Sequence, residues 1–510
     1  MTDMTANAAR TAIPADRIPV IVGVGEISDH PTNPAEGLEP VALIVAALRR
    51  AEADAGSTLL RDLDSLDVVN FVSWRYHDPA QLICKQLGIA PARANYGPVG
   101  GESPIRFLHE AAQRIARGES KVAAVAGGEA QSTATKAERA GITLPWTPFA
   151  HDVPSPLRGA HYQHPLAVAL GLAQPVAIYP LYDAATAAHW GQSPRAALAE
   201  SGALWSRYAA VAATNPQAWL KRTFDGDTIT TPTADNRLIA WPYSKLMVAN
   251  PSVNQSAAII VTSLAHARAA GIPDSRLVYV HGGASAEEPR DILGRDQFYQ
   301  SHAQNAVLGE ARSIADGNSF DAIELYSCFP CVPKMARRTL GLGENFEPTV
   351  TGGLTFFGAP LNDYMAHAAC AMTRRIRSGA RLGLLYGQGG YVTKHHALVL
   401  SPQPPRTPLE QDTSVQAKAD AAREKVPGFV TEASGAATLE TFTILYNRKG
   451  EAEHGVAVLR TAPATRALAR VPADDAATLA RLTDGDNTPI GIRGAIHAAG
   501  DGILEWRAES

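Results

Sequence analysis

The stretch that decides the fold runs over residues 94–128 and reads ANYGPVGGESPIRFLHEAAQRIARGESKVAAVAGG. It is typical of a short strand, a glycine turn, an amphipathic helix and a second, buried strand. Gly97, Gly100 and Gly101 form the predicted turn, because glycine accepts positive φ and close backbone approach. Ser103, followed by proline, predicts the start of the helix with the serine as its N-cap. A turn between a strand and a helix is where α/β enzymes place ligands.

The composition is that of an ordinary globular protein. Its 510 residues indicate about three domains at roughly 150 residues each. A net charge of −4 offers no footprint for nucleic acid or an anionic membrane. No apolar run approaches the ~20 residues that a membrane span needs, and the N-terminus lacks a secretory signal. Four cysteines argue against a disulfide framework and favour a reducing, cytoplasmic location.

Strand and helix patterns alternate along the chain. Strands are predicted at 18–25 and 66–72, and helices at 40–53 and 79–87. A second strand–helix series begins at Arg276 and follows the same order, which indicates a weak internal duplication. The alternation predicts a doubly wound, parallel-rich sheet.

The opening stretch also resembles the nucleophile segment of thiolases, especially the sterol-carrier-protein-x type and bacterial thiolase-like proteins. The Ile-Ala-Arg-Gly end of the helix at 115–118 and Ala-Gly-Gly at 126–128 carry the resemblance, which covers about residues 17–400. It implies an α/β thiolase fold, with two duplicated halves in a layered α-β-α-β-α core. Counted along the helix, the reactive cysteine of the family falls on Gly101.

The resemblance also divides the chain into domains. The N-terminal thiolase half spans 17–270 and carries an insertion at 130–235, which in thiolases is the loop domain that covers the acyl-CoA. The C-terminal half spans 275–400. Residues 437–461 alternate apolar and polar around a hairpin turn at Asn447 to Gly450. We therefore predict a small β-rich domain over 410–510, similar to the OB-like modules of some thiolase-like proteins. No cysteine follows Cys370, which excludes a cysteine-built zinc ribbon.

Thiolase chemistry needs a thiolate, a base that activates it, a second acid/base residue and an oxyanion pocket. Gly101 replaces the thiolate of the first loop. The second loop, ELYSCFP at 324–330, resembles the His-Asp-Cys-Phe segment of the family, with Tyr326 at the histidine and Cys328 retained. A phenol of pKa ~10 is a poor base at neutral pH.

The third and fourth loops also depart from the family. GGLTFFGAPL at 352–361 matches its Gly-His-Pro-Leu-Gly loop, with Ala359 at the activating histidine. LYGQGG at 385–390 resembles the loop of the acid/base cysteine, with Tyr386 in its place, or Gly387 if the register slips by one residue. All four catalytic positions are thus replaced together.

Other side chains remain candidates for a pocket, and no metal site is predicted. Glu102 and Ser103 either border a pocket or simply support the helix N-terminus, and a serine nucleophile would need an adjacent base. His367 either reaches the pocket or is a satisfied helix histidine. The full set of candidate pocket residues is Glu102, Ser103, Tyr326, Cys328, Gly358, Asn362, His367 and Tyr386.

Two further motifs have alternative interpretations. Cys328 and Cys331 form a C-x-x-C that suggests redox chemistry, although the family pattern alone explains Cys328, and a lone pair cannot complete a tetrahedral zinc site. His395 and His396 lie in a strand-like run, where neighbours point to opposite faces. They are therefore not a chelating pair.

Three hypotheses follow for function. The first is an acetyl-CoA acetyltransferase (acyltransferase) homologue of acyl-CoA or lipid metabolism that lacks thiolysis and condensation, requires no cofactor and binds CoA or acyl-CoA. The second is an active acyl-transfer or aldol-type enzyme of lipid or steroid breakdown that uses Tyr326, Tyr386, Cys328 or Glu102. The third is a non-catalytic binding or assembly module acting through 410–510. The family implies a homodimer formed by the strand after the nucleophile helix; a monomer is the alternative.

Overall fold

The computed structural model describes residues 13–500 and 502–509. Its α-helices are α1 Pro40–Ala55, α2 Pro79–Leu87, α3 Ser103–Arg117, α4 Gln131–Ala140, α5 Pro165–Ala169, α6 Pro175–His189, α7 Pro194–Thr214, α8 Gly226–Thr230, α9 Leu264–Ala269, α10 His302–Ile314, α11 Cys331–Leu340, α12 Tyr364–Arg377, α13 Gln416–Ala422 and α14 Ala476–Leu482. Its strands are β1 Pro19–Ser28, β2 Ser65–Val68, β3 Arg93–Tyr96, β4 Val122–Ala130, β5 Leu238–Ala240, β6 Tyr243–Ser244, β7 Asn254–Ser263, β8 Val278–Glu287, β9 Ala322–Leu325, β10 Gly383–Gly389, β11 Lys394–Ser401, β12 Gly428–Val430, β13 Gly435–Tyr446, β14 Ala452–Ala462, β15 Thr465–Pro472, β16 Arg493–Ala498 and β17 Leu504–Ala508.

The larger sheet has the strand order β3-β2-β4-β7-β1-β8-β11-β10-β9. Outward from the central β1–β8 pair, the strands β7, β4 and β2 on one side correspond to β11, β10 and β9 on the other. Each half therefore places its first strand at the centre and its last strand beside it. This correspondence confirms the predicted internal duplication.

The predicted parallel-rich sheet is wrong. Among the described residues of this larger sheet, parallel pairing is confined to β2–β3, β2–β4 and β9–β10, whereas β1, β7, β8 and β11 pair antiparallel. The sequence missed this because a strand covered on both faces is a continuous apolar run in either direction. The strand after the nucleophile helix, β4, has β2 and β7 on its two edges and cannot pair across a dimer.

Alternate faces of the sheet pack against different helices. Ile21, Ala123 and Val125 join the core cluster that contains α3, whereas Val20 and Ala124 join the one that contains α1. Helices α3 and α12 each contact strands of both halves of the sheet, and α1 and α10 cover the outer faces. The layered α-β-α-β-α thiolase fold is confirmed.

The C-terminal residues form a small closed barrel. Strands β13, β14, β15, β17 and β16 pair in a ring, because β16 pairs again with β13. The barrel is joined to the insertion, since the Thr441 hydroxyl donates to the carbonyl of Leu181 at 2.5 Å. Just after the insertion, β5 pairs with β13 of the barrel. The predicted β-rich C-terminal unit is confirmed. No helix in the described ranges is long and apolar enough to cross a membrane.

The close contact between β1 and α1 gives a stability test. A Cβ at Gly23 would lie 2.1 Å from the carbonyl oxygen of Ala51, so Gly23→Ala must displace backbone and should destabilise the protein by about 1–3 kcal/mol. Gly309 is exposed in α10 with nothing within 4 Å of its missing Cβ, so Gly309→Ala should stabilise by up to ~1 kcal/mol. Urea midpoints at constant m-value measure both. Equal midpoints for the two variants would contradict this packing.

Candidate functional site

The glycine turn before α3 is filled from the second half of the chain. A Cβ built on Gly101 would lie 2.3 Å from the hydroxyl oxygen of Tyr326 and 2.5 Å from the carbonyl oxygen of Gln388. No real Cβ approaches another atom so closely, so Tyr326 occupies the space that a side chain at position 101 would need. The turn glycines Gly97, Gly100 and Gly101 all have negative φ, so close approach rather than a left-handed backbone requires them.

Tyr326 is held in an apolar environment. It is 6% exposed, and its hydroxyl has no hydrogen-bond partner among the described residues. Burial, followed by the nearby Cys328 and Glu102, raises the pKa of Tyr326 well above its usual value. The phenol can therefore donate a hydrogen bond, but it cannot act as a base at neutral pH.

The start of α3 differs from the prediction. Ser103 is the first helical residue rather than the N-cap, and its hydroxyl donates to the carbonyl of Gly100 instead of accepting from the helix amides. Glu102 is buried, and its Oε1 lies 3.2 Å from Nζ of Lys394. Sequence reasoning missed this ion pair because the two residues are 292 positions apart.

The third loop connects to the same turn. Asn362 accepts from the backbone N–H of Gly100 at 3.0 Å and donates to the carbonyl of Asn70 at 2.8 Å. Ala359 is buried, and its amide donates to the carbonyl of Asn250 at 2.9 Å. Gly358 has φ 118° and lies against Gln255. The loop thus fixes the turn but brings no proton-transfer group to it.

The buried carboxylate of Glu324 holds the segment that leads into the third loop by hydrogen bonds. Glu324 accepts from the hydroxyls of Tyr364 at 2.6 Å and Thr349 at 2.8 Å, and from the backbone N–H of Val350 at 2.9 Å. Burial is the largest influence and raises the pKa of Glu324 to about 7, against the lowering effect of these donors. No local sequence pattern indicated the role of Glu324, because its hydrogen-bond donors lie 25 to 40 positions away.

The structure does not bring Tyr386 to the turn. Tyr386 pairs with Ala397 on β11, whereas Gly387 pairs with His396, and paired residues share a face of the sheet. His396 contacts His109 of α3 at 3.1 Å, so Gly387 faces the central layer and Tyr386 faces the outer one. Gly387, which a one-residue slip of the register places at the acid/base cysteine, is therefore the residue that faces the turn.

Tyr386 belongs instead to a directional chain of hydrogen bonds. The Ser301 hydroxyl donates to Glu288 at 2.8 Å, so its oxygen accepts from Nε2 of His395 at 3.2 Å. Nδ1 of His395 must then accept from the Tyr386 hydroxyl at 2.7 Å, and Gln304 donates to that hydroxyl at 2.8 Å. Burial lowers the pKa of His395 to about 4, so the ring is neutral, as this chain requires. As predicted, His395 and His396 point to opposite faces.

Neither of the remaining candidates, His367 and Cys328, forms a hydrogen bond with the turn among the described residues. His367 is buried in α12, with Nδ1 2.6 Å from Glu26 Oε1. The Cys328 thiol contacts the side-chain amide of Gln388 at 3.1 Å, and burial raises its pKa to about 12. Cys331 begins α11 and is fully buried. All four cysteines are free, and within the described part of the chain no three metal-ligating side chains cluster.

A cleft of about 700 Å³ opens beside the turn. Glu102 and Lys394 line it from the core, and Tyr162 lines it from the covering insertion, with the Arg290 guanidinium 4.6 Å from the centre of the Tyr162 ring. Arg158 also lines it. The cleft therefore combines basic groups with an apolar rim and ends at the glycine turn.

Comparisons with known proteins bear on this arrangement. Residues 415–501 match the family model of the thiolase-like protein type 1 additional C-terminal domain. A monomeric SCP2-thiolase-like protein type 1 from Mycobacterium smegmatis is similar over 97% of this chain and 99% of its own, with 27% identity and a TM-score of 0.80. These comparisons confirm the predicted thiolase fold, and residues 415–501 resemble the additional C-terminal domain of thiolase-like proteins type 1.

Two more solved structures share the fold of this chain. The Ltp2-ChsH2(DUF35) aldolase matches 77% of this chain and 99% of its own, at 18% identity and a TM-score of 0.57. Human mitochondrial 3-ketoacyl-CoA thiolase in complex with CoA matches 77% and 100%, at 14% identity and a TM-score of 0.54. At these identities the likeness concerns the fold alone. No curated protein sequence matches significantly.

The competition for space between a side chain at position 101 and the Tyr326 phenol can be measured as a coupling free energy between two substitutions. Gly101→Cys should destabilise the protein by about 1–3 kcal/mol, because the thiol must displace the phenol. Tyr326→Ala alone should cost about 3–5 kcal/mol as a cavity. The double variant should be at least about 1 kcal/mol more stable than the sum of these costs, measured by urea denaturation. Strict additivity would show that the two positions do not compete for space.

Glu324 should give a pH dependence of stability. Its pKa is about 7 in the folded protein and near 4.5 when unfolded, so between pH 5 and 7 the folded state holds a proton that the unfolded state has lost. Stability therefore falls as pH rises through this window. Glu324→Gln should remove that part of the slope in urea titrations at pH 5 to 8, and the exposed Glu344→Gln should not. Parallel profiles for wild type and Glu324→Gln would contradict it.

Proposed function

We propose that this protein binds CoA or an acyl-CoA thioester in the cleft beside the glycine turn and does not catalyse thiolysis or Claisen condensation. The contact of Tyr326 with Gly101 carries the proposal, because the phenol fills the space that a nucleophilic side chain would need. The same contact would obstruct a covalent acyl intermediate at this turn. The role is then that of an acetyl-CoA acetyltransferase homologue in acyl-CoA or lipid metabolism that has no thiolase turnover.

The positions of the thiols and imidazoles support the loss of this chemistry. Among the described residues, no cysteine thiol hydrogen bonds to a histidine, and burial holds the pKa of Cys328 and Cys331 above the usual range. Nucleophile and base act as a unit, and losing them costs on the order of 10⁶ in turnover in a well-studied hydrolase. Within the part of the chain that the structure describes, no other pair near the turn supplies a thiolate and its base.

The cleft has features that suit a CoA ester. Arg158 and Arg290 offer cationic donors to phosphate groups, which arginine binds in a bidentate manner. Leu157, 58% exposed, and Tyr162 present apolar surface at the rim. A related fold, the human thiolase named above, was solved with CoA bound.

We further propose a monomeric, cytoplasmic protein that needs no cofactor. The interior position of β4 supports the monomer, since this strand offers no free edge for pairing. The Mycobacterium smegmatis relative is described as monomeric. Four unpaired, buried cysteines agree with a reducing compartment.

A second candidate function is an aldol-type reaction on an acyl-CoA. One observation favours it: the Tyr326 hydroxyl has no protein partner and is free to donate to a ligand oxygen. Tyr386 and Cys328 do not share this position, so Tyr326 and Glu102 are the residues to consider. Tyr326→Phe should abolish such an activity without changing CoA affinity. An unchanged rate would exclude the tyrosine from the reaction.

Ligand binding and turnover can be tested together. A CoA ester at 100 times its dissociation constant should stabilise the protein by about 2.7 kcal/mol and raise the thermal midpoint. Arg158→Ala with Arg290→Ala should reduce this shift, whereas Arg268→Ala, on an exposed surface pair, should not. Thiolysis of acetoacetyl-CoA should stay at the background rate. Robust thiolysis would overturn the proposed lack of turnover, and the absence of a shift with any ester would overturn the proposed binding of a CoA ester.

A further inference from the structure

The ion pair at the inner end of the cleft is incomplete. Lys394 Nζ lies 3.2 Å from Oε1 of Glu102 and also donates to the carbonyl of Val99. Glu102 is 3% exposed, and its second oxygen, Oε2, has no hydrogen-bond partner among the described residues. A buried acceptor without a donor costs about 1–3 kcal/mol. The site therefore lacks one hydrogen-bond donor.

Glycines and a strained turn create the room for this carboxylate. A Cβ on Gly389 would lie 2.1 Å from Oε2 of Glu102, and one on Gly100 would lie 2.5 Å from it. Val392 has φ 55°, an unfavourable conformation for a β-branched residue. Arg295 is buried and donates to the Val392 carbonyl at 2.6 Å, which fixes the turn that leads into Lys394. Such strain persists only where surrounding contacts determine it, so this end of the cleft is a built feature.

Lys394 has a matching surplus. An ammonium group has three N–H donors, and two of them are directed to Glu102 and to Val99. The third is available on the side chain that lines the cleft. Glu102 thus has a free acceptor, and Lys394, which lies beside it in space, has a free donor. A hydroxyl both donates and accepts, so a single hydroxyl matches the two. A keto oxygen accepts only, and it would leave Oε2 unpaired and would be repelled by it.

We propose that the acyl thioester bound in this cleft carries a hydroxyl group on its acyl chain, and that this hydroxyl donates to Glu102 while its oxygen accepts from Lys394. The inference rests on the proposed acyl-CoA binding and adds the chemical class of the acyl group. Glu102 is then the residue that sets the preference for hydroxyacyl over ketoacyl and saturated acyl chains.

Matched four-carbon ligands test the preference. Isothermal titration calorimetry with 3-hydroxybutyryl-CoA, acetoacetyl-CoA and butyryl-CoA should give about tenfold tighter binding of the hydroxy ester, as expected for a hydrogen bond to a charged group. Glu102→Gln places an amide that donates as well as accepts, so the hydroxy-to-keto ratio should fall below about threefold. Glu119→Gln, just beyond the far end of α3, should keep the wild-type ratio.

The outcomes separate this inference from the function on which it rests. If none of the three esters binds, the proposed acyl-CoA site fails and the inference with it. If all three bind with equal affinity, the site stands and the hydroxyl preference is overturned. A tenfold ratio that survives in Glu102→Gln also overturns the assignment to Glu102. Should that variant misfold, Glu102→Asp keeps the charge but withdraws the acceptor by one methylene, and its ratio should fall likewise.

Discussion

A side chain at position 101 and the phenol of Tyr326 cannot occupy the same volume. The turn comes from the first half of the duplicated fold and the phenol from the second, so this exclusion lies where the two halves meet. Asn362 crosses the same boundary to hold the amide of Gly100, and Lys394 crosses it to pair with Glu102. The geometry of the cleft, its inner end and its polar groups all follow from how the second half fills the turn of the first.

The polar network around the loops is largely structural. Glu324 collects donors from the third loop and from α12, and the chain through Ser301, His395 and Tyr386 uses each hydrogen once in one direction. Buried polar groups must be satisfied, because each unpaired one costs as much as several weak contacts contribute. The oxygens of Glu102 and Tyr326 at the turn are exceptions to this rule. They therefore mark the place where a ligand can supply a hydrogen-bond partner.

Local sequence patterns predicted the elements well and the pairings poorly. The helix at Pro79–Leu87 has the predicted bounds, and the β13–β14 hairpin turns at the predicted place. Strand direction was missed because apolar runs carry no sign of it. Ser103 was misjudged as a cap because its hydroxyl found a nearer carbonyl in the bent turn. Glu102 was recognised as a candidate, but its partner Lys394 could not be, since nothing in a local window connects residues so far apart.

The barrel has a mechanical consequence for the insertion that covers the cleft. Thr441 and His454 of the barrel bond to backbone carbonyls of the insertion, at Leu181 and Leu170. These hydrogen bonds hold the insertion to the barrel. The insertion therefore cannot move away from the cleft as a rigid unit unless they break. Access to the cleft must then depend on rotations of individual side chains at its rim, such as Leu157 and Tyr162, while the backbone of the insertion keeps its position.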